Sequence, residues 1–195
     1  MKNMRKVNLV LVTDIDTEKQ VELRRIRNKP EIRKWMYTGH VISLKEHSAW
    51  VRSLKNDSSR ITFAMLEFDE IIGAFNIYNI NYVHKTCEWG WFIDPIKSGA
   101  GLGSAIEFHL IDFIFNNLNM VKQTVEVLEE NTPVINLHKK FFFKEEGYRH
   151  SHIVKEDKRT GYYEFGLLRS DWKINKESLK HKFKNFEIEI NWSQK

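Results

Sequence analysis

Glycine and proline are scarce in this chain, nine and three of its 195 residues, about half their usual share in globular proteins. A collagenous chain and a Gly/Pro-rich low-complexity chain are therefore excluded. With a single cysteine, Cys87, no intramolecular disulfide can form. There is no apolar run of membrane-spanning length and no basic leader followed by an apolar stretch, so the chain is expected to be cytoplasmic, with no membrane partner. Strong charge bias is also lacking: 31 basic residues stand against 26 acidic ones, a net charge of +5. The basic residues are spread along the chain without a nucleic-acid motif, so no nucleic-acid partner is expected, whereas an anionic ligand suits the balance. His150 and His152 share one face of a strand but lack a third ligand nearby, so no metal is expected.

What is present is enough for one core: 42% of the residues are apolar and 13% aromatic, and 195 residues fit one domain. We read residues 1–170 as that domain and 171–195 as a C-terminal extension. Helical and strand periodicities alternate, which predicts an α/β (α+β) chain. Strands are expected at Val7–Val12, Ile61–Glu67, Ile71–Ile80, Cys87–Ile93 and Val121–Leu128, with shorter ones at Ser151–Val154 and Tyr162–Leu168. Asp69-Glu70 is expected to turn the first hairpin. Helices are expected at Thr17–Arg27, from the capping box Ser43-Leu-Lys-Glu46, from Gly101 to Leu118, and from a Thr132 N-cap with Pro133 to about Lys144. In the extension, Phe186, Ile188, Ile190 and Trp192 alternate with polar residues, as an edge strand or a partner contact would.

Three of the nine glycines crowd into five positions, Gly99, Gly101 and Gly103, between an expected strand and an expected helix. Backbone N–H groups and a helix N-terminus converge in such a loop, which suits phosphate or pyrophosphate. A Walker loop needs Gly-Lys-Ser/Thr at its end, and this one reads Gly103-Ser104-Ala105. A dinucleotide fingerprint needs a glycine where Ser104 stands and an opening βαβ unit, and neither is present.

The segment Ser98-Gly99-Ala100-Gly101-Leu102-Gly103-Ser104 resembles instead the acyl-CoA loop of the GNAT N-acetyltransferase superfamily, Gln/Arg-x-x-Gly-x-Gly/Ala, with Ser98 departing at its first position. Trp89-Gly90-Trp91-Phe92-Ile93 resembles the superfamily's fourth strand, and Glu126 to Asn131 its fifth. Asn131-Thr-Pro-Val-Ile-Asn-Leu-His138-Lys-Lys-Phe-Phe-Phe143 resembles Asn-x-x-Ala-x-x-x-Tyr-x-Lys-x-Gly-Phe, with His138 in place of tyrosine and Phe142 in place of glycine. The resemblance spans roughly residues 5–168. It implies a mostly antiparallel mixed sheet flanked by helices, a bulge near Gly90, and two splayed central strands that admit acetyl-CoA, without a metal. It further implies that Trp91, Phe92, Ile93, the loop 98–104, Asn131 and Lys140 hold the cofactor. Glu126 is the candidate base, against a solvated or salt-bridged strand glutamate; His138 is the candidate acid, against a sulfur contact or simple packing.

Arg27-Asn28, Trp35-Met36-Tyr37 and Ile42-Ser43-Leu-Lys-Glu-His47 are similar to the pseudaminic-acid pathway N-acetyltransferases, which acetylate the 4-amino group of a UDP-linked amino-dideoxy sugar used to modify flagellin and surface glycans. The similarity implies a small-molecule amine as partner, a nucleotide sugar, with Arg27, Trp35, Tyr37 and His47 lining its pocket. Ribosomal-protein and spermidine-type acetyltransferases share the Arg-Asn beginning, and a CoA-binding module without turnover stays open. Pairing of the sheet edge into a homodimer is a further expectation.

Overall fold

A computed structural model describes residues 4–155 and 157–192. Its centre is an eight-stranded mixed sheet in the order β6-β7-β5-β4-β3-β2-β1-β8. The strands are β1 (Arg5–Leu11), β2 (Ile61–Glu67), β3 (Glu70–Asn81), β4 (Thr86–Ile93), β5 (Lys122–Leu128), β6 (Lys144–Lys155), β7 (Lys158–Leu168) and β8 (Phe186–Ile190). The helices are α1 (Thr17–Arg27), α2 (Pro30–Arg33), α3 (Leu44–Leu54), α4 (Leu102–Asn116), α5 (Thr132–Lys140), α6 (Arg169–Asn175) and α7 (Glu177–Lys180). Every residue of β2 is buried, because both faces of the sheet are covered. On one face, α4 and α5 pack over Phe63, Phe75, Trp89 and Phe165 in the larger core. On the other, residues of α1 and α3 such as Leu23, Ile26 and Val51 pack over Ala64, Leu66 and Ala74.

Local chemistry explains the element ends. The capping box at Ser43 forms in full, with Ser43 Oγ accepting from Glu46 N at 3.2 Å and Glu46 Oε2 accepting from Ser43 N at 2.7 Å. Phe68 and Asp69, rather than Asp69 and Glu70, make the β2–β3 turn, both with positive φ, as a tight hairpin turn demands. The N-cap of α5 is Asn131, so Thr132 is its first helical residue. That helix stops at Lys140, four residues short of expectation, because Phe142 takes φ +70° and β6 starts at Lys144. Phe142 thus occupies, with a side chain, a left-handed position that favours glycine.

Two relationships shape the site. Strands β4 and β5 are parallel and pair only from Thr86↔Lys122 to Glu88↔Thr124; beyond Glu88 they diverge, leaving a gap in the middle of the sheet. The β3–β4 ladder runs without a shift through Asn76↔Gly90, and its irregularity lies between Tyr78 and Asn81, so the bulge expected near Gly90 is absent. The segment after residue 170 is part of the same structure. Trp172, Leu179 and Phe183 are buried in the larger core, and β8 pairs in parallel with β1 from Arg5↔Phe186 to Leu9↔Ile190. The alternation is therefore an edge strand over Phe186–Ile190.

Candidate active site

The glycine loop joins the end of β4 to α4. Gly99, Ala100 and Gly101 follow one another at φ +123°, +50° and +86°, a run of left-handed backbone in which glycine avoids the Cβ penalty. This curvature turns successive N–H groups to one side. Leu102 N is bonded to Gly99 O at 2.9 Å and Ala105 N to Gly101 O at 3.0 Å. The N–H groups of Gly99, Ala100, Gly101, Gly103 and Ser104 have no acceptor among the described residues. They form a cradle at the N-terminus of a fifteen-residue helix, the arrangement that binds a pyrophosphate without a charged side chain. Ser98 donates from Oγ to Pro95 O at 2.9 Å and is exposed, so its hydroxyl closes the preceding turn.

The loop is held from outside by residues the sequence did not single out. Buried Asp94 takes both oxygens to Lys29 Nζ, at 2.8 and 2.7 Å, and accepts from Ile96 N at 3.2 Å. Arg5 Nη2 donates to Lys97 O at 2.6 Å. Both contacts join positions far apart in the chain.

Along β4, alternation sends successive side chains to opposite faces. Trp89 and Trp91 lie on the α4 face. A Cβ on Gly103 would stand 3.0 Å from the Trp91 ring, so the glycine lets α4 settle on that indole. Phe92 points to the other face and packs against the smaller core, and Ile93 is buried in the larger one. Trp91, Phe92 and Ile93 thus shape the wall of the gap from two sides.

The candidate acid and base stand on opposite faces of the sheet. His138, in α5, is only 4% exposed. Its Nδ1 lies 2.7 Å from Oε1 of Glu107, a fully buried α4 carboxylate, and its ring meets Trp89, Phe143 and Phe165. Glu126, in β5, is half-buried on the face away from Val125 and Val127. Its Oε2 accepts from Tyr37 Oη at 2.7 Å. The Tyr37 phenol is pushed well above its ordinary pKa by burial first and then by Glu126, so it remains an O–H donor at any physiological pH. Among the described residues Glu126 makes no salt bridge, and its side-chain partner is the Tyr37 phenol.

Around that pair the ladder brings Glu88, Tyr78, Glu164 and Tyr162 onto the same face, through Tyr78↔Glu88, Glu126↔Glu164 and Leu128↔Tyr162. The Glu88 carboxyl is raised by burial first and then, against an Asn79 hydrogen bond, by the charges of Glu126 and Glu164. Glu164 pairs with Arg149 at 3.0 Å. Tyr37 also packs its ring 5.7 Å from Tyr162.

Of the other expected residues, Arg27 donates from Nη2 to Thr38 O at 3.4 Å, and its Nη1 is buried with no partner. Burial, then the neighbouring Arg33 charge, lowers its pKa. Trp35 is half-buried with the Lys34 ammonium 4.9 Å over its ring. Asn131 is buried at the start of α5 without a side-chain cap bond, and Lys140 is exposed on that helix. His47 is not brought to Tyr37: it is 5% exposed in α3, against Trp50 and facing Gln20 and Arg24 of α1, because its position on α3 is a core-facing one. Among the described residues no group of histidine, cysteine or carboxylates can hold a metal, and no helix is long and apolar enough to cross a membrane.

A mixed sheet with two splayed central strands, and a glycine-loop cradle at the helix that follows the first of them, define an acyl-CoA-dependent acetyltransferase. The chain belongs to the GNAT acetyltransferase family, whose domain model matches residues 7–144. It is an N-acetyltransferase, and enzymes of this family use acetyl-CoA as donor. The acetyltransferase PseH of Campylobacter jejuni is 26% identical over 167 residues, 86% of this chain and 97% of that protein. The spermidine N(1)-acetyltransferase of Vibrio cholerae is 31% identical over 94 residues, 48% of this chain and 52% of that one. The solved structure of spermidine N-acetyltransferase from Vibrio cholerae with CoA and spermine superposes with a TM-score of 0.77 at 20% identity, covering 86% of this chain and 98% of that chain.

Proposed function

We propose that the chain transfers acetyl from acetyl-CoA to the 4-amino group of a UDP-linked amino-dideoxy sugar. The observation that carries this reading is the Tyr37–Glu126 pair on the open face beside the β4–β5 gap. The pyrophosphate of CoA lies on the free N–H groups of residues 99–104, and the pantetheine arm follows the unpaired edge of β4 beyond Glu88 into the gap. Asn131 and Lys140 meet the donor from the α5 side. The acceptor enters from the opposite face. Its amine is oriented among Glu126, Tyr37 and Tyr78, and Glu126 takes its proton, directly or through water, as the nitrogen attacks the thioester carbonyl. The enzyme's work is to fix geometry and move protons.

Two features support a nucleotide sugar. Arg27 carries a buried nitrogen without a partner beside Arg33, and neither pairs with a carboxylate among the described residues; a diphosphate supplies the missing acceptors. Trp35 and Tyr37 offer ring faces to a sugar or uracil. The PseH likeness, which runs nearly the whole length of that protein, agrees. A second reading, a polyamine acceptor, is favoured by Glu88, Glu126 and Glu164 on one face, since three carboxylates suit a chain of ammonium groups.

Thiol release from acetyl-CoA, measured with UDP-4-amino sugars, spermidine and N-terminal peptides, decides between them. The proposal expects kcat/KM for the sugar to exceed that for spermidine by about a hundredfold, the scale of leaving a buried donor such as the Arg27 nitrogen unpaired. A preference for spermidine overturns it in favour of the polyamine. CoA binding without release for any amine overturns turnover itself.

A further inference from the structure

Glu107 is a carboxylate with no exposed surface, in the middle of an otherwise apolar helix face between Ile106 and Phe108. Burying such a group is costly unless it is paired and hydrogen-bonded. Both of its oxygens are engaged: Oε1 with His138 Nδ1 at 2.7 Å, Oε2 with the Trp91 indole N–H at 3.4 Å. The tryptophan that binds it is the one on which Gly103 rests. One side chain therefore links the glycine loop, the wall of the gap and the α5 histidine.

We infer that Glu107 is the positioning residue for His138, fixing its ring through Nδ1 so that Nε2 is the nitrogen presented to the departing thiolate. This rests on the acetyltransferase reading and deepens it. A neutral histidine has one donor and one acceptor nitrogen, and a carboxylate at Nδ1 sets which is which. When the ring carries a second proton, Glu107 supplies the balancing charge without help from solvent. As the substrate amine nitrogen bonds to the acetyl carbon, the C–S bond breaks and its electron pair passes to sulfur. The doubly protonated ring gives its Nε2 proton to that sulfur and keeps the Nδ1 proton toward Glu107, the amine's proton goes to Glu126, and His138 and Glu126 return to their starting states by proton exchange with water. Where a tyrosine performs this task alone, the histidine needs a partner, and Glu107 is that partner. The other groups packed on the ring, Trp89, Phe143 and Phe165, carry no titratable proton near neutrality, so Glu107 is the one charge that faces it among the described contacts.

The test compares Glu107→Gln, His138→Tyr and the double variant in steady-state kinetics from pH 6 to 9.5, with 15N NMR of the histidine rings. Glu107→Gln is expected to lower kcat about tenfold or more, short of the roughly hundredfold and upward that a general acid itself contributes because the histidine stays in place, with KM for acetyl-CoA within about twofold. The pH limb on which kcat falls is expected to move, and the His138 tautomer to change. His138→Tyr sets its own, lower reference rate with a phenol in the acid's place, and adding Glu107→Gln to it is expected to change kcat little from that reference, because a phenol needs no carboxylate to fix which atom carries its proton. An equal loss from Glu107→Gln in both backgrounds overturns the inference, since the residue then serves packing alone. Unaltered kcat and pH profile in the single variant overturn it as well. If the wild type transfers acetyl to no amine, the acetyltransferase reading falls instead. The NMR arm then judges the pairing, and an unchanged His138 tautomer in Glu107→Gln refutes it.

Discussion

The Tyr37 hydroxyl reaches Glu126 across 89 positions of sequence, at 2.7 Å, and in doing so brings the segment after α2 over the fifth strand. Replacing Glu126 with Gln keeps the shape and removes the base. Turnover is expected to fall by about a hundredfold or more, with CoA affinity unchanged by calorimetry. Tyr37→Phe is expected to lower kcat/KM for the acceptor by about tenfold, one charge-assisted hydrogen bond. A Tyr37→Phe enzyme with wild-type kinetics for every acceptor would remove the pair from the site.

The loop makes a separate prediction. Gly101 stands at φ +86° with open space around its would-be Cβ, so alanine there meets no clash and acts only through backbone conformation. The strain is about 1 kcal/mol. Relief of it by a shift of the loop is expected to weaken CoA binding several-fold, read by titration calorimetry, with acceptor KM unaltered at saturating acetyl-CoA. Equal CoA affinity in Gly101→Ala would show that the left-handed turn is not required for the cradle.

Stability at acid pH follows from the α3 cap. The Glu46 carboxyl is lowered from about 4.5 to about 2, chiefly by its hydrogen bonds to Ser43 and then by His40. A carboxylate lowered on folding stabilises the native state fully above its unfolded pKa, and this contribution disappears as pH falls through the folded value. Glu46→Gln is therefore expected to lower Tm at pH 7, with the difference from wild type shrinking below pH 4.5 and vanishing near pH 2. A difference independent of pH would assign the effect to helix propensity instead.

The lone thiol yields a control for the release assay. Burial pushes Cys87 up to about 12, and the residue is 2% exposed. Native protein is expected to show no reaction with an aromatic disulfide reagent at pH 8, and one equivalent after denaturation. A fast equivalent from native protein would mean that β4 opens away from its neighbours around Cys87.

Much of this was legible in the chain where the cause is local. Ser43 and Glu46 lie three residues apart and declare the helix they cap. Gly99, Gly101 and Gly103 declare a left-handed loop. The later hairpin was harder to read, because most residues of β6 are exposed and an exposed strand has no apolar alternation to betray it. Glu107 was invisible for the opposite reason. Within an apolar helix face one carboxylate reads as a surface interruption, and only the fold brings His138, 31 residues on, against it. His47 shows how a histidine beside a recognisable motif can be turned by its helix toward Trp50 and α1, an orientation no local pattern states. The cluster of Glu88, Glu126 and Glu164 spans three strands whose neighbours are set by topology, which no local pattern encodes.

Strand β8 lies in parallel beside β1, residue 186 opposite residue 5. The outer edge of β1 is therefore covered only by a segment about 180 positions further along the chain. Until that segment docks, the backbone groups of β1 on this side are open to any passing β-segment, so the closing of this edge is a long-range step of the kind that folds slowly.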